Sequence, residues 1–388
     1  MLRRLFIITV LIAIGISASL NLYAYTQPNG ALPVAGPDQI VPNHQETITL
    51  TAAGDCLMHN TQISSGLQAD GSYRFDAFFT EIKDLIAEGD YSSTNFEAAM
   101  AGPASGYTGY PLFNSPDAAA KTFKDAGFDV IVTANNHCLD RGVKGALRTL
   151  DVLRAAGLET VGTYKTAKES EKFLIKDIRG VKVAYLAYTY GTNGIPVAPQ
   201  YSFLVNFMDK DKILADIKSV RKNVDIIVLV LHWGLEYHPQ PSAEQKLQAK
   251  EYLEAGADVI LGSHPHVIQT MEVLKVKGKD KFVIYGLGNF ISHQIGQERN
   301  SGIVLKMRFT KDFASSATIL DSVSYTPTFS HGYRDNGKLK FRVVPVEAAI
   351  AKIKAGQDPH MNREYLPILQ SVLTDTRGRL GQGFSREK

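Results

Sequence analysis

Residues 225–237 read Asp225-Ile226-Ile227-Val228-Leu229-Val230-Leu231-His232-Trp233-Gly234-Leu235-Glu236-Tyr237. An unbroken aliphatic run without alternation suits a strand covered on both faces. It ends at His232 and passes into a loop that carries Glu236 and Tyr237. The same change from apolar strand to reactive loop recurs along the chain. Ile48 to Ala53 runs into Gly54-Asp55-Cys56-Leu57-Met58-His59, and the weaker Tyr91 to Thr94 runs into Asn95-Phe96-Glu97. Phe128 to Thr133 leads to Ala134-Asn135-Asn136-His137, with Asp140 three residues on, and Asp258 to Leu261 leads to Gly262-Ser263-His264-Pro265-His266. Val183 to Tyr188 and Phe282 to Tyr285 are further buried strand candidates.

Helical periods fill the intervals. Phe75, Phe78, Phe79, Ile82, Leu85 and Ile86 form one stripe that ends near Gly89. Ser115-Pro116 reads as N-cap and first helical position of a helix closed by Gly127, and Leu147, Leu150 and Leu153 mark another before Gly157. Ser242 with Gln245 forms a capping box for a helix that ends near Gly256. Strand–helix alternation of this kind means α/β layering with covered sheets. If the strands run parallel, all five reactive loops open on one sheet edge, where α/β folds bind ligands. After Gly302 the pattern shifts to shorter alternating strands, Ile303 to Phe309 and Leu339 to Val344, which could complete a second sheet. Asp375 to Lys388 has little apolar content and reads as a mobile tail.

Asp, Glu, Asn and His form the oxygen and nitrogen ligand set for Mn, Fe, Zn or Mg. Two such ions could clamp a phosphoryl or carbonyl oxygen and activate a water. Each residue alone has a plain structural reading: Asn136 as a turn residue, Asp55 as a helix cap, His232 as a satisfied core histidine. Their occurrence at five separate strand ends is what points to a metal site. Cys56 and Cys138 read as small packing residues beside it, since hard ligands need no thiolate, with a soft ligand, a redox pair or a disulfide between them as the alternatives. Thr189 to Asn206 and Gly102 to Asn114 are long irregular segments, either lids or ordinary surface loops. Trp233 either lines the site or packs beneath it, and Glu236 is either a partner of His232 or a solvated loop residue.

The chain of 388 residues has 42 Lys+Arg against 39 Asp+Glu, and this near balance leaves no bulk footprint for nucleic acid. With 44% hydrophobic and 21% charged residues, overall disorder is excluded. Two cysteines are too few for a disulfide framework or a four-thiolate zinc site. Arg3 and Arg4 precede an apolar run from Leu5 to Leu20, so residues 1–24 read as a cleaved signal peptide or a membrane anchor. Pro28, Pro33, Pro37 and Pro42 make 25–46 an extended linker. The folded domain is expected over 47–310, a β-rich extension completing it over 311–360, and a C-terminal helix and tail over 361–388. The protein is therefore expected to be exported, either membrane-anchored or extracytoplasmic.

The motifs in order, Gly-Asp (54–55), Asn-x-Glu (95–97), Ala-Asn-Asn-His-x-x-Asp (134–140), His-Trp-Gly-x-Glu-Tyr (232–237), Gly-Ser-His-Pro-His (262–266) and Gly-Asn-Phe (288–290), resemble the CapA-like family of poly-γ-glutamate capsule synthesis proteins. That family lies within the calcineurin-like metallophosphoesterase superfamily. The resemblance implies a four-layer αββα metallophosphoesterase-like sandwich holding two divalent ions, of Mn, Zn, Fe or Mg. It implies Asp55 and His266 on the first ion, Asn136, His232 and His264 on the second, and Glu97 bridging them. Leu57 stands where the superfamily has a ligand His, which leaves His59 as a further candidate. His137 would protonate the leaving group, with Asp140 orienting it. The implied function is capsule polymer biosynthesis by a hydrolase or transferase whose nucleophile is a metal-bound water. A non-catalytic metal-binding scaffold of the capsule machinery and a secreted phosphoesterase or nucleotidase are the alternatives. The implied substrate is an anionic envelope polymer or a phosphoester, and the implied partners are membrane-bound capsule synthesis proteins.

Overall fold

The computed structural model of the protein describes residues 44–385. The expected leader (1–24) and most of the expected linker (25–46) lie outside the described residues. In chain order, β1 (Gln45–Cys56) leads through α1 (Asn60–Gly66) and α2 (Lys83–Ala87) to β2 (Tyr91–Phe96). Next come α3 (Ala118–Ala126), β3 (Val130–Val132), α4 (Gly142–Ala155), β4 (Glu159–Val161) and α5 (Ala167–Ser170). They are followed by β5 (Leu174–Ile178), β6 (Val181–Thr189), α6 (Lys210–Val220), β7 (Ile226–His232), α7 (Ala243–Ala255), β8 (Val259–Ser263), β9 (Met271–Val276) and β10 (Lys279–Ile284). The remaining described elements are β11 (Asn289–Ile291), β12 (Ser301–Asp312), β13 (Ala317–Asp335), β14 (Lys338–Pro345), α8 (Val346–Lys354), α9 (Tyr365–Leu380) and β15 (Phe384–Ser385). Among the described residues, no helix is long and apolar enough to cross a membrane.

The strands form two sheets in a mixed α/β arrangement. The larger has the order β14-β13-β12-β1-β2-β3-β4, with β11 on β1 and β15 on β13; the smaller has the order β5-β6-β7-β8-β10-β9. β1 to β4 run parallel, as do β6, β7, β8 and β10.

Strand alternation explains why the central strands are apolar throughout. Ile226, Val228 and Val230 of β7 enter one core with Ile48, Leu50, Val130, Val259 and Leu305, so this core lies between the two sheets. Ile227, Leu229 and Leu231 enter a second core with Ile213 and Ile217 of α6 and Leu253 of α7. On the far side of the larger sheet, Ile131 and Phe96 pack with Phe79, Ile86, Phe123 and Leu153 under α2, α3 and α4. A strand between two cores has no solvent face, so polar alternation disappears. Helices thus cover the outer face of each sheet.

Several expectations are corrected. β12, β13 and β14 do not build a second sheet; β12 lies antiparallel against β1 from Gln45↔Asp312 to Ala53↔Val304 and extends the first. The reactive loops therefore leave two sheets, not one edge. The stripe from Phe75 to Ile86 is a single 3-10 turn at Asp76–Phe78 followed by the short α2. Clustered aromatics restrict side-chain freedom in a helix, and here their packing decides the backbone path. The α3 N-cap is Asp117, two residues after Ser115. The region from Asp375 is not a tail at its start: α9 continues to Leu380, burying Val372, Thr376 and Leu380, and Phe384–Ser385 pairs with β13.

Two glycines set how closely the strand ends approach. A Cβ on Gly54 would lie 1.9 Å from the Gly288 carbonyl oxygen, and one on Gly262 would lie 1.8 Å from that of Tyr285. The Gly54 contact seats Asp55 against Asn289 of β11. The C-terminal elements are tied to the turn before α2 by buried Arg342, which donates to Glu81 and Asp358 at 2.6 Å each. Both cysteines are buried and free, and burial pushes their thiols up to about 12, so neither is a ready thiolate.

Gly262→Ala is expected to cost about 1–3 kcal/mol through overpacking against Tyr285, read as a lower midpoint in urea unfolding. Asp358 is half-buried with its side chain covered, and although burial opposes its charge, Arg342 and the His360 and Met361 amides hold its carboxyl below the usual range. A carboxylate depressed in the fold stabilises above its unfolded pKa and loses this as pH falls through the folded value. Asp358→Asn should accordingly cost about 1–3 kcal/mol near neutral pH. The gap from the parent protein should shrink below about pH 4, as followed by denaturation across pH.

Candidate metal centre

The candidate residues meet because of strand parity. His232 is next in the series Ile226, Val228, Val230, which faces the core between the sheets. Cys56 and Phe96 face the outer core, so their neighbours Asp55 and Asn95, which pair across β1 and β2, face inward. Side chains from both sheets thus leave the shared core at one end. His232 Nε2 lies 2.8 Å from Asn136 Oδ1, joining the smaller sheet to the larger. The His264 amide donates to Asp55 Oδ2 at 3.1 Å, a second bridge. His264 and His266 have φ of 93° and 58° in the turn after β8. A non-glycine residue held there costs about 1–3 kcal/mol, and in this conformation both rings lie beside Glu97.

Ligand-type atoms of Asp55, Glu97 and His266 lie within 4.8 Å of one another, as do those of Glu97, His232 and His264. The two groups share Glu97, a fully buried carboxylate. Neither Glu97 oxygen has a hydrogen-bond donor among the described residues, and His264 Nδ1 is likewise buried without a partner. His232 Nε2 at 3.5 Å and His266 Nε2 at 3.7 Å stand against Glu97 Oε1. An unpartnered buried carboxylate is costly. Its oxygens, a free imidazole nitrogen and an amide oxygen fit a divalent ion of the oxygen–nitrogen class.

The electrostatics show how the cluster offsets its own charge. Burial opposes ionisation of Glu97, but His266 and His232 outweigh it and hold the carboxyl well below the usual range. Burial likewise opposes charge on His266, yet Glu97 and Asp55 raise it to about 9. Burial, helped by His232, lowers His264 to about 2, which keeps it neutral.

Supporting contacts fix the ring orientations. Ser263 Oγ lies 2.9 Å from His232 Nδ1, and Asn289 Oδ1 lies 3.0 Å from His266 Nδ1. Asn95 Nδ2 donates to Asp55 Oδ1 (2.8 Å), Asn135 Nδ2 donates to Asn95 Oδ1 (3.1 Å), and the His137 amide donates to Asn135 Oδ1 (3.2 Å). Such partners set tautomer and ligand basicity. Sequence reasoning assigned no role to Ser263, Asn95, Asn135 or Asn289, although all sit inside the motifs it singled out.

His137 flanks the cluster. Its Nδ1 is 2.7 Å from Asp140 Oδ2, which also accepts from the Phe113 amide, and its ring meets the edge of Phe113. Burial lowers its basicity, but Asp140 and Glu97 together raise it above the ordinary histidine value. Both irregular segments reach this place: Phe113 and Tyr110 from one, Tyr190 and Asn193 from the other. His59 is not in either ligand group; its ring and amide engage Gln62, and burial lowers it to about 4. Trp233 packs beneath the site, its Nε1 donating to the Tyr285 carbonyl. Glu236 is exposed and lies beside His264 and His266, away from the Ser263 and Asn136 contacts of His232.

Residues 49–294 match the family described as bacterial capsule synthesis protein PGA_cap. The capsule biosynthesis protein CapA of Bacillus anthracis is 31% identical over 290 residues, which cover 72% of this chain and 67% of that protein. The PGA biosynthesis protein CapA of Bacillus subtilis is 30% identical over 226 residues, 56% of this chain and 57% of its own length, so the match spans little more than half of that relative. Among solved structures, the NAD nucleotidase of Haemophilus influenzae aligns at a TM-score of 0.46 and 10% identity, over 86% of this chain and 61% of that one. That likeness adds nothing to the fold already described.

Glu97→Gln tests the buried carboxylate. With chelator present, the variant should melt below the parent, because His266 and His232 favour the charged Glu97 and His266 loses that partner. With Mn or Zn added, the parent should rise by binding linkage and the variant should not, so the gap widens in paired thermal melts.

Proposed function

The chain belongs to the bacterial capsule synthesis protein PGA_cap family, and from that premise we propose that it is a cell-envelope protein of poly-γ-glutamate-type capsule biosynthesis, acting as a di-metal-dependent hydrolase or transferase. The observation that carries this reading is the pair of ligand groups sharing Glu97, whose two buried oxygens lack donors. Asp55, Glu97 and His266 would hold one divalent ion, and Glu97, Asn136, His232 and His264 the other. Bound there, such ions polarise a phosphoryl or carbonyl oxygen and lower the pKa of a water. The overall architecture is then the four-layer metallophosphoesterase-like sandwich, with helices outside each sheet.

The protein's own residues do the rest. With the second ion bound, Ser263 Oγ would accept a hydrogen bond from His232 Nδ1, leaving Nε2 as a donor atom beside Asn136 Oδ1. Asn289 holds the His266 ring from the side opposite Glu97. Asp140 takes the His137 Nδ1 hydrogen bond, which leaves Nε2 to carry a proton for the departing group. Phe113 packs at right angles against that ring and covers one side of it. The substrate in this reading is an anionic envelope polymer or a phosphoester, met outside the cytoplasm, with membrane-bound capsule synthesis proteins as partners and the N-terminal segment as signal or anchor.

The test uses the full chain loaded with Mn, Zn or Mg and assayed on generic phosphodiesters and on poly-γ-glutamate. His137→Ala is expected to lower turnover about 10²–10⁴-fold while elemental analysis shows the ions retained. A parent protein that binds ions but turns over neither substrate, with capsule lost on deletion, would replace the enzyme by a scaffold. Turnover of nucleotides without a capsule phenotype would instead favour a secreted nucleotidase.

A further inference from the structure

A third donor group stands on the solvent side of the centre. Glu236, His264 and His266 present ligand-type atoms within 4.8 Å of one another, and Glu236 is the exposed member where both histidines are buried. Glu236 belongs to neither of the Glu97 groups. Its loop is built, not slack. The Tyr237 amide donates to the Pro265 carbonyl at 2.8 Å, which ties the loop to the turn that carries both histidines. Gly234 enters with φ of 88°, and a Cβ there would lie 2.7 Å from Gln245 Nε2. The Tyr237 ring lies against His266 (5.9 Å between centroids) and carries the Arg299 guanidinium at 3.8 Å. Asn289 closes the circuit, since it contacts His266 through Oδ1 and donates to the Arg299 carbonyl through Nδ2 at 2.7 Å. Glu236 is thereby held facing the two histidines with its carboxylate in water.

We propose that Glu236 is a transit ligand: the carboxylate that takes a divalent cation from solvent and passes it, by way of His264 and His266, to the buried ligands. The other acidic ligands, Asp55 and Glu97, are almost completely buried and present no charge to an approaching ion. An exposed carboxylate at the mouth concentrates cations and supplies the first exchange for a shed water. The unpartnered His264 Nδ1, common to the inner and outer groups by residue, is a ready next donor.

This rests on the metal-binding reading of the centre, and the experiment separates the two. Metal-free full-length protein is mixed with Mn(II) or Zn(II) at low salt, quenched with chelator at set times and analysed for bound metal. Glu236→Gln, an isosteric change at an exposed position, is expected to reach the parent's stoichiometry at saturation but about tenfold more slowly, with the gap narrowing as salt is added. Uptake less than about threefold slower, or a lower stoichiometry at saturation, overturns the transit role while leaving the buried centre standing. A parent protein that takes up no divalent ion overturns both. Circular dichroism of the variant verifies its fold.

Discussion

The facing sides of two sheets share one apolar core, and that shared core is the constraint on which everything else depends. Val130, Val228, Val259 and Leu305 come from strands far apart in the chain yet pack into the same layer. Once they do, side-chain direction is set residue by residue, because a strand alternates faces. His232 follows the inward series of β7, and Asp55 and Asn95 take the inward side opposite Cys56 and Phe96. Polar residues at the ends of these strands have nowhere to go except toward one another. The centre is a consequence of packing two sheets face to face with their parallel strands ending together.

That arrangement concentrates charge where solvent is absent. Asp55, Glu97, His232, His264 and His266 are each no more than 4% exposed. The protein offsets part of the cost internally: Glu97 and Asp55 support the charge of His266, while His264 stays neutral. A relay of amides, Asn95 to Asp55 and Asn135 to Asn95, satisfies the rest of the larger sheet's edge. Among the described residues, both Glu97 oxygens and His264 Nδ1 stay unsatisfied at the middle of the cluster, and Asp140 Oδ1 stays so beside His137. The positive φ at His264 and His266 is strain of the same kind, sustained by the surrounding sheets.

Strands were the most legible feature, for a physical reason. Runs such as Ile226 to Leu231 are apolar because both faces are covered, and that signal is local. The α7 capping box at Ser242 and Gln245 was equally readable, since its hydrogen bonds close within four residues. Sheet membership was not readable. β12 belongs beside β1, although more than two hundred residues lie between them. The stripe from Phe75 to Ile86 had helical spacing but is shaped by the aromatic core that receives it. Likewise, the polar content of residues 375–380 hid a helical turn anchored by Leu380 and by Arg379, which donates to the Ile268 carbonyl.

The order of reactive loops after apolar strands, their ligand chemistry and the family likeness were all determined by the sequence alone, because each depends only on neighbouring residues. Which loops face each other was decided by the tertiary structure. The pairing of Asp55 with His266, the sharing of Glu97 between two ligand groups, the support from Ser263 and Asn289, and the outward position of Glu236 exist only after the sheets stack. Distance along the chain carries no information about distance across a core, and these contacts cross it.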